Sequence, residues 1–222
     1  MATHAASVRG AATDFGALIV TDLVRPALRS IVAARVAIAT VFVSYALSVV
    51  FGIVMATSGN PDAIAQRDAV VGAARTSAIT TTNRSGDHVR AALLDFSSNL
   101  VVGGLTSTAF GTSVVGLYPV VAYRGWIGGI VVLDGEHRSR LADPASAVYY
   151  LVTLILQLIP YSIAGGVGVR LGVGAWAQLR AKTATATWLG LPTDRLRDAL
   201  LAYVVIAPLF LIASLWEFLV RV

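Results

Sequence analysis

Cysteine is absent from the chain, which excludes disulfides, thiolate catalysis and cysteine metal sites together. Lysine occurs once, at Lys182, and charge of either sign is scarce. Only 13% of residues are Asp, Glu, Lys or Arg, about half the roughly 25% of a soluble domain. The three histidines, His4, His88 and His137, stand far apart in polar segments with no metal-ligand spacing. A phosphate-binding glycine loop with Lys is missing, and so is a Gly-x-Ser-x-Gly elbow. This inventory holds no catalytic constellation, cofactor site or metal site, and the chain reads as non-enzymatic.

What the chain does have is long apolar sequence, with 56% hydrophobic residues and a mean hydropathy of +0.75. Four stretches carry no formal charge: Val36 to Gly59, Phe96 to Tyr123, Pro144 to Val169 and Ala199 to Trp216. Each approaches or exceeds the roughly 20 apolar residues that span a bilayer core as a helix. The expectation is an all-α, polytopic transmembrane bundle in an inner or plasma membrane. The first apolar run begins at Val36, too far in for a leader, and predicts a retained span.

The bundle is expected to have about five spans, with residues 1–35 as a juxtamembrane segment and 36–222 as the transmembrane domain. Asp14 to Arg35 reads as an amphipathic interfacial helix. Asp14, Thr21, Asp22, Arg25 and Arg29 form its polar stripe, and Phe15, Leu18, Ile19 and Leu23 its apolar side. The first span is Val36 to Ser58. A polar extracytoplasmic segment, 59–94, follows, and its Ser/Thr-rich middle, Thr76 to Gly86, reads as a loop. Asp95 to Leu133 is too long for one span and short for two, and divides best into Asp95–Ala109 and Thr112–Leu133. The fourth span is Ala145–Val169. The cytoplasmic loop 172–198 leads to the fifth, Arg195–Val220.

Basic residues orient this layout. With the N-terminus cytoplasmic and the C-terminus outside, Arg9, Arg25, Arg29, Arg35, Arg170, Arg180, Lys182, Arg195 and Arg197 fall inside. Arg67, Arg75, Arg84, Arg90, Arg138, Arg140 and Arg221 fall outside. The excess inside agrees with the positive-inside rule, whereas four spans would put the basic loop before the last span outside. The same scatter of Arg around apolar runs suits phospholipid headgroups and offers no compact stripe for nucleic acid.

Small residues recur at fourfold spacing: Gly103, Ser107 and Gly111; Gly125 and Gly129; Ala164, Gly168 and Gly172. In lipid, helices associate by close packing through such faces, within the chain or against a partner. Four polar residues fall within spans and are the candidates for an intramembrane pathway: Asn99, Arg124, Gln157 and Glu217. A charge at membrane depth costs on the order of 2.5–3.5 kcal/mol on insertion scales, so Arg124 either reaches the interface or finds a partner. Its acidic candidates are Asp95, Asp134 and Glu217. Glu217 stands four residues before Arg221, the spacing of an ordinary helix-surface pair. Asp134, Glu136, His137 and Arg138 form a short polar outer turn that reads as solvated.

Three motifs carry a resemblance. Phe96-Ser97-Ser98-Asn99 opens a helix with Asn in its first turn. Gly111, Gly116, Arg124-Gly125 and Gly128 follow, and Ala164-Gly165-Gly166-Val167-Gly168-Val169-Arg170-Leu171-Gly172 closes a span. From about Asp95 to Gly172 the chain resembles the stage II sporulation protein M family of bacterial integral membrane proteins, as a divergent branch. Arg124-Gly125 replaces a common Asn-Gly. Thr153-Leu154 and Gln157 stand where a His-Gly and a Glu are usual. The resemblance implies a scaffold or channel-like subunit of an envelope complex. One type assists peptidoglycan remodelling during engulfment. Another accompanies circular bacteriocin clusters, beside a separate ATPase, in peptide maturation, export or immunity.

The expected function is therefore a scaffold or interaction subunit of a multiprotein envelope complex, acting as a homo-oligomer or with other membrane proteins. The alternative is the permease-like part of a peptide export system. A soluble ATPase would then dock on 172–198, with a coupling helix around Trp176 to Trp188 and a cavity lined by Asn99, Arg124 and Gln157.

Overall fold

The computed structural model describes residues 20–181 and 187–220. Asp14 to Ile19, Lys182 and Arg221 lie outside the described residues. The described chain is almost wholly helical. Val20–Val24 forms a π turn that leads into α1 (Arg25–Ala33), which carries Pro26 in its first turn, where a missing N–H costs nothing. The interfacial helix expected over Asp14 to Arg35 is described only from Val20. The backbone breaks at Ala34 before α2 (Arg35–Thr57) begins.

The polar segment after α2 is helical, which corrects the loop expected at its centre. Asn60 caps α3 (Pro61–Arg75) by accepting from the amides of Asp62 and Ala63. Ser77 caps α4 (Ala78–Arg84) by accepting from Thr80 N. Serine, asparagine and aspartate that look like loop formers act here as N-caps, each satisfying an orphan donor. Asp87 likewise caps α5 (His88–Ser98), which runs without interruption through a π-helical stretch, Asn99–Leu105, into α6 (Thr106–Gly111). The helix expected over Asp95–Ala109 thus starts seven residues earlier, at His88. A turn follows, in which Val114 has φ 62° and Gly116 N donates to Ser113 Oγ. Next comes α7 (Leu117–Ile130). At 1.5 Å per residue α7 is roughly 21 Å long, shorter than a hydrocarbon core of about 30 Å.

After the 131–143 loop, α8 (Pro144–Ala181) runs far past its expected end at Val169. The coupling helix expected around Trp176 to Trp188 is not a separate element: Trp176 belongs to α8, and Trp188 lies in a two-residue strand. β1 (Thr187–Trp188) and β2 (Leu191–Pro192) pair antiparallel around Leu189 and Gly190, both at positive φ. The last helix, α9 (Thr193–Leu219), carries an internal Pro208.

Three helices, α2, α8 and α9, are long and apolar enough to cross a membrane. The core lies where they meet α5 to α7. Phe210 and Ile206 of α9 are wholly buried with Ala164 and Leu171 of α8. Val41 and Tyr45 of α2 pack with Leu117 and Val121 of α7.

Glycines set the helix separations. On α2 and α7, a methyl at Gly52 would meet Trp126 O, and one at Gly129 would meet Val49 O. On α6 and α8, methyls at Gly168 and Gly172 would meet Thr108 O and Thr112 O, and one at Gly111 would lie 2.8 Å from Gly165 O. The two pairs therefore touch backbone to backbone. A methyl at Gly125 would lie 2.7 Å from Tyr45 O, one at Gly103 would meet the Tyr161 ring, and Ala164 O accepts from Thr108 Oγ1 at 2.9 Å. The small residues picked out by spacing all lie in contacts within the chain.

Candidate functional site

The polar side chains inside the bundle form two connected clusters. The deeper one centres on Arg124 of α7. Its Nη1 donates to Ser107 Oγ at 2.8 Å and to Gly103 O at 3.2 Å, and its Nη2 to Val102 O and Thr106 Oγ1, both at 3.3 Å. The guanidinium also lies 5.1 Å from the centroid of the Tyr161 ring. None of the acidic partners expected for Arg124 is within ion-pair distance among the described residues. The acceptors cluster on the π-helical stretch and the turn after it, where Val102 O and Gly103 O also accept from the Thr106 hydroxyl and Gly103 O from that of Ser107. A planar five-donor fork can answer several of them at once, which a Lys ammonium cannot.

Tyr161 links this group to the next. Its Oη donates to Asn99 Oδ1 at 2.6 Å, Asn99 Nδ2 donates to Asp95 Oδ2 at 2.8 Å, and Ser214 Oγ donates to the same oxygen at 2.7 Å. Helical spacing explains the chain. Asp95 and Asn99 are one turn apart on the same face, so the carboxylate and the amide meet. Tyr161 of α8 and Ser214 of α9 approach them from the two neighbouring helices. The Tyr161 ring packs edge-on against Phe210, with centroids 4.8 Å apart.

The second cluster lies one rung further out. Gln157 stands four residues before Tyr161 on α8, and Glu217 three residues after Ser214 on α9. Gln157 Nε2 donates to Glu217 Oε2 at 3.3 Å. Tyr149 Oη donates to the Glu217 backbone carbonyl at 2.7 Å, and Trp216 Nε1 to Thr153 Oγ1 at 3.2 Å. Gln157 Oε1 is buried and has no hydrogen-bond partner among the described residues. The expected Glu217–Arg221 pair lies outside the described residues on its Arg side, and the Glu217 carboxylate meets Gln157 instead.

Two cavities adjoin this cluster. One, of about 210 Å³, is lined by Tyr150, Thr153, Leu154, Gln157 and Glu217 among others. The second, of about 430 Å³, is lined by Asn83, His88, Ser146 and Phe218, and shares Arg140, Tyr149 and Glu217 with the first. Of Asn99, Arg124 and Gln157, expected to line one cavity, only Gln157 lies on either of these two.

Residue spacing gave no sign of Arg67, a charged side chain that is buried with 4% relative exposure. It reaches from α3 to the 131–143 loop, donating to Leu133 O at 3.2 Å and to Asp134 O, and pairs with Asp68 at 2.7 Å. His137 Nε2 lies 2.9 Å from Asp68 Oδ1, so the outer turn is tied to α3 from both sides. Bonding to Arg67, then to His137, holds the Asp68 carboxyl below its usual range. Hydrogen bonds from Arg138 and Glu136 amides do the same for Asp134. No group of three His, Cys, Asp or Glu suited to a metal occurs among the described residues.

At the opposite end Arg170 pairs with Asp198 at 2.9 Å, and Ser30 Oγ donates to Asp198 O at 2.8 Å, which docks α1 onto α9. Comparison with models of protein families, with curated proteins and with solved structures finds no match.

Proposed function

We propose that the chain is a five-span, non-enzymatic membrane subunit of a multiprotein envelope complex, a scaffold akin to the stage II sporulation protein M family. In this reading α2, the run from α5 to α6, α7, α8 and α9 each cross the bilayer. The N-terminus is cytoplasmic. The observation that carries the scaffold reading is the bonding of Arg124. Its guanidinium donates to Val102 O, Gly103 O, Thr106 and Ser107, so the charge acts as a staple between α7 and the π-helical stretch. Asn99 is likewise closed between Asp95 and Tyr161. Close backbone contacts at Gly52 with Gly129 and at Gly168 with Thr108 add rigidity.

A permease-like role beside a soluble ATPase has one observation in its favour, the polar cavity at Gln157 and Glu217. Purification of the tagged protein in gentle detergent, with mass spectrometry of what co-purifies, separates the two. Cell-wall enzymes or other membrane proteins are expected. A stoichiometric soluble ATPase in their place overturns the scaffold reading.

A further inference from the structure

Glu217 is a carboxylate on a membrane-length helix with no basic side chain within ion-pair distance among the described residues. An ionisable group so placed is a functional candidate once its partner is named. The side chains facing it are oxygen-rich. From α8 come Gln157, Thr153 and Tyr149; from α9 itself, Ser214 lies one turn back. Asp95 of α5 is held by Ser214 on the next rung and lines neither cavity. A carboxylate at membrane depth without a basic partner is relieved by a positive charge beside it.

Gln157 gives the second, independent sign. Its Nε2 donates to Glu217 while its Oε1 is buried without a donor. A buried acceptor left unmatched is destabilising, so such an atom needs a reason. An amide oxygen and a carboxylate, on two residues that line a cavity of about 210 Å³, are the oxygen donors a small hard cation takes. A proton on Glu217 serves the same end, because the resulting O–H can donate to that amide oxygen after the amide turns over. The larger cavity, lined by Asn83 of α4 and Arg140 of the 131–143 loop, marks the side of access. The charged and titratable groups are Arg140 and Tyr149, which line both cavities, His88 in the larger and Tyr150 in the smaller, and the Arg140 charge weighs against a divalent ion.

We propose that Glu217 and Gln157 form a binding site for a small monovalent cation, a proton or Na⁺, filled from the side of the molecule carrying α4 and the 131–143 loop. The site does not depend on whether the subunit is a scaffold or a permease, and its test is separate from co-purification.

The test uses the full chain in lipid nanodiscs, melted in NaCl and in choline chloride of equal ionic strength across a pH series. Infrared difference spectra follow the protonated carboxyl band. If Na⁺ is the ligand, NaCl at a hundredfold above its Kd raises the melting temperature by roughly 5–10 °C over choline, and Glu217→Gln removes the difference. If the proton is the ligand, Na⁺ has no effect, and a carboxyl band that titrates with pH is lost in Glu217→Gln. Gln157→Leu, which keeps the carboxylate, is expected to weaken Na⁺ binding at least tenfold or to shift that band, and it serves as the second variant should Glu217→Gln not fold. Absence of both a Na⁺ effect and a titrating band overturns the proposal. So does a signal that survives Glu217→Gln or, where that variant does not fold, one that Gln157→Leu leaves unchanged.

Discussion

Adding one methyl at Gly129 is expected to be among the costliest small changes in this chain. The new Cβ would run into Val49 O, and Gly52 Cα would lie only 2.8 Å away. Both obstacles are backbone, so no rotamer change relieves them, and α2 and α7 must separate. Overpacking of this kind costs about 1–3 kcal/mol, which predicts a melting temperature lower by roughly 3–10 °C for Gly129→Ala in detergent. Gly72 is the control. It is exposed on α3, nothing lies within 4 Å of its added Cβ, and Gly72→Ala should raise stability by up to about 1 kcal/mol through helix propensity. Equal effects of the two substitutions would refute the backbone-contact account. The fourfold spacing of small residues in the sequence already pointed to Gly129 and Gly168. It did not point to Arg67, because its partners are Asp68 and the carbonyls of Leu133 and Asp134, and carbonyl acceptors leave no mark in residue identity. The Arg124 site was legible as a charge within an apolar run. Its partners were not, since two of them are carbonyls, on a π-helical stretch that no residue pattern announces.

Elements differ in how plainly the sequence shows them. Helices α2 and α9 announce themselves, because a lipid-facing helix is apolar all round and only its length needs reading. The far half of α8 is hidden behind Arg170, a charge that reads as a membrane boundary. Asp198 pairs with it, and the helix continues to Ala181. Helices α3 and α4 are obscured because Asn60 and Ser77 are equally at home in turns and at N-caps. What holds α3 down is its latch to the 131–143 loop, and that latch is acid-sensitive. Bonding to Arg67 and His137 lowers the Asp68 carboxyl, so the folded state favours the ionised form. The contribution is complete above the unfolded carboxylate value of about 3.9 and is lost as pH falls through the lower folded value. Hydrogen-exchange protection of Pro61–Arg75 should therefore hold between pH 7 and pH 5 and decline below about pH 4. In Asp68→Asn it should be weaker at neutral pH and lack that acid step. An unchanged acid step in the variant would place the titrating group elsewhere.

At the scale of the whole molecule the open point is how the short α7 sits in the bilayer. Leu117–Ile130 is roughly 21 Å long against a core of about 30 Å, so it crosses only if the bilayer thins or the flanking turn dips in. Packing gives the direction of the answer. Val114 and Val115, in the turn before α7, share an apolar groove with Val173, Trp176 and Arg180 of α8. The far end of α7 meets Ala56, Ala63 and Tyr150, at the end of the molecule that holds α3. The turn and the outer helices therefore stand at opposite ends of the bundle, and the five-span reading has α7 cross between them. Because the chain contains no cysteine, single cysteines report on this without background. Ser85→Cys, between α4 and α5, should react with a membrane-impermeant thiol reagent in intact cells. Val115→Cys and Leu189→Cys, 75% and 80% exposed in the native residue, should react only after permeabilisation. Labelling of Val115→Cys from outside would turn α6 and α7 into a re-entrant hairpin and reduce the spans to three. Labelling of Leu189→Cys alone from outside would reverse the orientation, and the nine basic residues assigned to the cytoplasm would then face the wrong way.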